Sequence, residues 1–275
     1  MIKSKPILLI ISLLLSSIGF GQSNFSLSFG GSYGFGIFEN SVETFVNTKQ
    51  EDNAYISENK KFSLGGGLGA YAHLMYHFQE NFGLGLGVIN HFKTEVEFVE
   101  INSVSGIVSE NTRTLSAKRF SFRPMVQLNT DFETINTFVQ VGVTFNLNKQ
   151  ELQETIVVDT FVTELYWEYE GKTNIGFFAV WGVSYNFSKK LAMNLGLTLE
   201  AFQYVPEHNY LQKKSKNGEK SDISNLPEIY KSVDFLDWVS DQYSQYPDPN
   251  KPLQAPKQTF IYHNLSLSFG LCYRF

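Results

Sequence analysis

Eight segments of this chain alternate, residue by residue, between large apolar side chains and small or polar ones. A period of two marks a β-strand whose two faces meet different surroundings, and a helix cannot produce it. The segments run over about 25–38, 62–78, 82–98, 117–130, 136–149, 173–187, 191–204 and 258–275. In the first, Phe25, Leu27, Phe29, Tyr33, Phe35 and Ile37 share one face, opposite Ser26, Ser28, Gly30, Ser32, Gly34 and Gly36. In the last, Leu265, Leu267, Phe269, Leu271, Tyr273 and Phe275 oppose Asn264, Ser266, Ser268, Gly270, Cys272 and Arg274. Short joins at 79–81, 131–135 and 188–190 alternate with the long polar stretches 39–61, 99–116, 150–172 and 206–257. Short turns on one rim and long loops on the other are the rhythm of an up-and-down barrel in a membrane.

The polarity of the two faces decides between a soluble and a membrane barrel. A soluble barrel of the lipocalin kind would bury its large apolar residues. Here the apolar face is nearly continuous over all eight segments, while the opposite face is Gly, Ser, Asn and charge. Each apolar row covers roughly 9–11 residues, the length a tilted strand needs to cross a bilayer. Composition agrees: charged residues make up 18% of the chain and aromatics 15%, against about 25% charged in soluble domains. Phe78, Phe82, Phe187, Tyr273 and Phe275 stand near row ends, where interfacial girdles lie. Backbone groups in lipid must all be paired, so the sheet must close. The expected fold is all-β: a closed antiparallel up-and-down transmembrane β-barrel of eight strands, with ten as the alternative.

Residues 1–21 read as a secretory signal peptide: Lys3 and Lys5, an apolar run from Ile7 to Ile18, then Gly19-Phe20-Gly21. Residues 22–275 are then the mature barrel, expected in the cell outer membrane with lipid around it. Cys272 is the single cysteine, which excludes a disulfide framework. With 22 Lys+Arg against 27 Asp+Glu and no basic run, nucleic acid is not an expected partner.

The chain ends Leu271, Tyr273, Phe275 at every second position. This resembles the C-terminal targeting signal of bacterial outer-membrane proteins, which implies recognition by the barrel-assembly machinery. The whole pattern is similar to the small eight-stranded outer-membrane barrels of the OmpA and OmpX type, and to the PorT-like outer-membrane β-barrel proteins of the Bacteroidota. The resemblance implies a porin-like barrel of the Gram-negative cell envelope.

Eight strands leave an interior that side chains can fill. Glycines on segments two and three, such as Gly83, Gly85 and Gly87, face bulky residues on segments four and five. Arg119, Arg123, His91, Lys93, Glu95 and Glu200 all fall on the inward face at mid to upper height. A buried charge is costly unless paired, so these six are expected to form a polar network centred on Arg123 and Glu200. Pro124 interrupts segment four and predicts a bulge or a local break in the ladder. His73 and His77 are four residues apart, roughly 13 Å on a strand, too far to share a metal. The Gly-x-Gly pieces at 65–69 and 83–87 have no following helix and are not phosphate loops. No metal or cofactor is expected.

The stretch 206–257 holds six of the eight prolines. Ile229, Val233, Leu236, Val239 and Tyr243 recur at helical spacing, and Asn225 with Glu228 suits a capping box. A short helix over 226–243 is expected, with Trp238, Tyr243 and Tyr246 as a partner surface. The alternation continues into 99–116 and 150–172, so those strands extend past the membrane as hairpins. Lipid A-modifying barrels need a Ser near a His and an acid at the outer rim. His263 has no Ser on its own face and His208 stands beside Glu207 in a loop. The expected function is non-enzymatic: a barrel presenting extracellular loops for binding, adhesion or assembly with an envelope-protein partner. A channel for a small or hydrophobic ligand is the alternative.

Overall fold

A computed structural model describes residues 24–37, 46–51, 54–59, 62–79, 81–104, 107–130, 134–237, 239 and 247–275. The strands in chain order are β1 (Phe25–Gly36), β2 (Val46–Glu51), β3 (Ala54–Asn59), β4 (Gly67–Gln79), β5 (Phe82–Val104), β6 (Ile107–Asn129), β7 (Ile135–Val158), β8 (Phe161–Gly171) and β9 (Asn174–Asn186). They continue with β10 (Leu191–Ala201), β11 (Gln203–Tyr204), β12 (Pro206–Lys216), β13 (Glu219–Lys220), β14 (Ser232–Leu236), β15 (Leu253–Pro256), β16 (Phe260–Ile261) and β17 (Asn264–Arg274).

Eight of them close a ring in the order β1, β4, β5, β6, β7, β9, β10, β17 and back to β1. Every pairing in the ring is antiparallel, and the ring closes by pairing Gly30 with both Gly270 and Tyr71. Closure leaves the spanning strands no free edge, as lipid requires. The outward rows carry the apolar residues: Phe177 is 69% exposed and Trp181 58%. Such exposure over a whole barrel wall would be untenable in water. It makes the wall a lipid-facing surface, and a closed strand barrel of this type belongs to the outer membrane.

Pro124 does not shift the register. Its pairing with Leu86 on β5 is regular. On the β7 side the ladder lapses at Arg123 and Pro124 and resumes in the same register, from Phe122↔Phe145 to Met125↔Gly142. The missing N–H thus removes a local link without a bulge.

Beyond the membrane β5, β6 and β7 continue as one sheet. The upper half of β7 turns into β8, β8 pairs with β12, β12 with β14, and β15 runs parallel to β14. β2 and β3 form a separate hairpin within 39–61. The inner side of this extension packs Phe98, Leu115, Leu152, Tyr169 and Phe235 against Phe62, Leu64, Phe202, Phe260 and Tyr262. This apolar core sits above the barrel mouth. Leu64, which the alternation places on the lipid face, belongs to it because β4 starts only at Gly67, whose φ of +107° favours glycine.

Two expectations are corrected here. The helix over 226–243 is absent from the described part of that range: a single 3-10 turn at Glu228–Tyr230 leads into strand β14. Pro227 caps the turn without a side-chain bond, and Asn225 donates to Asp222 instead. The sequence Ser232-Val233-Asp234-Phe235 also alternates, and pairing with β12 and β15 overrides the helical spacing. The second correction concerns Lys93 and Glu95. Between His91↔Arg119 and Thr94↔Ala117, β5 spends one extra residue against β6. That bulge reverses the parity of everything after it. Thr94, Val96 and Phe98 turn inward, while Lys93 and Glu95 turn outward and pair with each other in solvent.

Candidate functional site

The lumen is filled in layers. The short-turn rim opens into a vestibule of about 600 Å³, walled by Asn24, Ser26, His77, Gln127, Asn129, Asn194, Cys272 and Arg274 among others. Gln140 donates to Gln127 at 2.7 Å and Gln127 to Asn129 at 2.6 Å, so its inner wall is an amide ladder. His77 lies here, 2.9 Å from the Ser26 hydroxyl. His73, two pleats further in, lines a different space.

Next comes an apolar ring of Met75, Met125, Phe138, Phe178 and Val180. Glycines on neighbouring strands make room for it. A Cβ at Gly85 would meet the Met75 Sδ at 1.9 Å, and one at Gly182 would meet the Phe138 ring at 2.3 Å. These contacts differ from the expected match of glycines on segments two and three with bulky residues on segments four and five: Met75 stands on segment two itself, Gly182 on segment six, and Gly87, close to Met125 as well as His73, is the glycine of segment three that meets segment four.

At mid-height one carboxylate holds two guanidinium groups. Glu200 on β10 accepts from Arg119 at 2.8 Å and from Arg123 at 2.6 Å, both on β6, and from the Asn264 amide at 2.9 Å. All three charged side chains are at most 4% exposed. Arg119 also contacts the His91 ring. Its guanidinium lies over Phe202 and that of Arg123 over Phe178, each 4.8 Å from the ring centre. Such faces suit a weakly hydrated, planar cation. The structure therefore brings Arg119, Arg123, Glu200 and His91 together and leaves Lys93 and Glu95 out. Above the clamp Gln150 donates to the Tyr262 hydroxyl at 2.6 Å, and the apolar core closes over it.

Outside the membrane, burial pushes the phenols of Tyr169 and Tyr204 well above their usual range. His208 does not use Glu207: its Nδ1 lies 2.8 Å from Asp234 on β14. Glu207 accepts from Lys172 at 2.6 Å, which holds its carboxyl below the ordinary value. Among the described residues no group of three or more His, Cys, Asp or Glu is placed to hold a metal. Trp238, Tyr243 and Tyr246 lie outside the described residues. On the outer wall Leu271 and Tyr273 are 37% and 39% exposed, and the Tyr273 and Phe275 rings meet edge-on at 5.1 Å.

Sequence reasoning missed the upper core. Phe202 and Tyr262 continue inward rows, but members such as Phe62, Tyr204 and Phe235 come from connections that the alternation does not link to them. One signal was available on β6, whose inner row changes from Ser121 and Arg119 to Ala117 and Leu115.

No family model matches the sequence, and no curated protein matches it. Solved barrels do. Ail, the attachment invasion locus protein of Yersinia pestis, is 9% identical with a TM-score of 0.37, over 92% of this chain and 99% of that one. Neisserial surface protein A is 10% identical with a TM-score of 0.35, over 93% and 100%. The outer membrane protein OprG from Pseudomonas aeruginosa is 10% identical with a TM-score of 0.45, over 92% and 96%. These likenesses are loose, and the barrel stands on its own strand pairing.

Proposed function

We propose that this chain is a non-conducting, non-enzymatic barrel that carries its extracellular sheet and loops for binding, either adhesion or assembly with another envelope protein. The observation that carries the reading is the filled lumen. Among the described residues a charge clamp at mid-height and an apolar core above it fill the lumen, with cavities of about 30 and 10 Å³ beside the clamp. The chain instead invests in β8, β12, β14 and β15, which serve no spanning purpose. Transport would need a path past the buried clamp at Glu200. Kinship with PorT-like barrels, and assembly by the barrel-assembly machinery through Leu271, Tyr273 and Phe275, are part of the same proposal and rest on the sequence pattern.

The test is planar-bilayer recording of the refolded protein. A silent membrane is expected, and steady open-channel steps would replace this reading with transport. Peptides carrying the terminal pattern, with Phe275 deleted in a control, test the assembly signal by competition with barrel insertion.

A further inference from the structure

The charges inside the barrel do not balance. Among the described residues the clamp sets two guanidinium groups, Arg119 and Arg123, against the one carboxylate of Glu200. One positive charge is left over in the buried interior of the barrel, where an uncompensated ion is costly. Directly beneath the clamp lies a cavity of about 30 Å³, walled in part by Arg123, His73, Ser32, Thr198 and Ser266. Two of its buried nitrogens, Arg123 Nε and His73 Nε2, have no hydrogen-bond partner, and their side chains are 2% and 8% exposed. The three hydroxyl-bearing residues are equally buried, and a hydroxyl can rotate to donate. Among the described residues no carboxylate lines this space.

We infer that the cavity is a binding site for one halide-sized monovalent anion, chloride under ordinary conditions, which neutralises the clamp. The size fits: a single water needs about 10–15 Å³, and a polyatomic organic anion would not enter. The donors fit as well, since the space is lined by a guanidinium, an imidazole and hydroxyls, and all can donate. This goes beyond the binding role proposed above and is independent of it, because a barrel that conducts would carry the same site.

The experiment uses the refolded full chain. Crystals grown in sodium bromide should give an anomalous bromine peak in the cavity, within hydrogen-bond reach of Arg123 and His73. Thermal unfolding at constant ionic strength should rise by about 3 °C per tenfold increase of chloride over gluconate, as linkage requires for a ligand bound by the native state. Ser32→Asp places a fixed carboxylate in the space, and Thr198→Asp does the same from another strand. Whichever variant folds should lose both the peak and the chloride dependence. Water alone in the cavity, equal unfolding in the two salts, or an aspartate variant as chloride-dependent as the parent would each overturn the assignment.

Discussion

Replacing Glu200 by alanine tests the clamp most directly. The substitution removes three hydrogen bonds, from Arg119, Arg123 and Asn264, and leaves two guanidinium groups buried without a counter-charge. Removing one partner of a buried ion pair typically costs about 3–5 kcal/mol, because the remaining charge stays desolvated. Here one carboxylate serves two cations, so the upper end of that range applies. At roughly 2–4 °C per kcal/mol for a chain of this size, Tm should fall by about 10 °C or more. The assay is thermal unfolding of the refolded barrel in detergent, followed by circular dichroism and by the shift between folded and unfolded bands on a gel. Glu200→Gln keeps the shape but not the charge and should also destabilise. Replacing Arg119, Arg123 and Glu200 together by Met, Met and Leu should recover much of the loss, since apolar groups of similar volume carry no desolvation cost. If Glu200→Ala unfolds at the parent temperature, the argument that this carboxylate holds the plug together is wrong.

Three further outcomes follow from the geometry. Gly182→Val should destabilise by roughly 1–3 kcal/mol through collision with the Phe138 ring and the Leu195 carbonyl, and in a Phe138→Ala background the same substitution should cost less, the Leu195 carbonyl remaining; denaturant midpoints measure both. Pro124→Val restores the missing donor and should slow amide exchange around residues 142–145 of β7, so unchanged exchange would mean the lapse there has another cause. The carboxyl of Glu207 is held low by Lys172, so its small contribution to stability is present above the ordinary carboxylate range and fades as pH falls through the lowered value. Lys172→Met should move the Glu207 titration up, read by NMR of the carboxyl carbon.

The alternation of apolar and small residues was sufficient to find all eight spanning strands, because lipid on one side and a packed lumen on the other impose a period of two that nothing local imitates. The pairing of Arg123 with Glu200 was legible for a similar reason: once both point inward, their charges have nowhere else to go. Lys93 and Glu95 were misplaced because a one-residue bulge leaves no mark in composition and reverses every later side chain. The sequence of β14 suits a helix as well as a strand because Val233 belongs to both periods, with Leu236 in the helical one and Phe235 in the strand one, and its pairing with β12 and β15 decides between them. The upper core draws single residues from connections that are distant in sequence. No periodicity links them before the chain is folded.

The bulge at His91 has a wider meaning. Below it, β5 shows Leu86, Val88 and Phe92 to the outside and keeps His91 within; above it, Val96 and Phe98 are within and Glu95 and Glu97 are outside. β6 makes the same exchange on its inner row by residue choice alone, from Arg119 to Leu115. One continuous strand is therefore an inside-out protein for half its length and an ordinary one for the rest, and the change-over falls at the level where His91 meets Arg119 of the clamp. Water drives the upper half together and plays no such part in the lower half. The two halves of a single hydrogen-bonded sheet thus owe their stability to different solvents, and detergent or lipid composition should act on one while denaturants in the aqueous phase act first on the other.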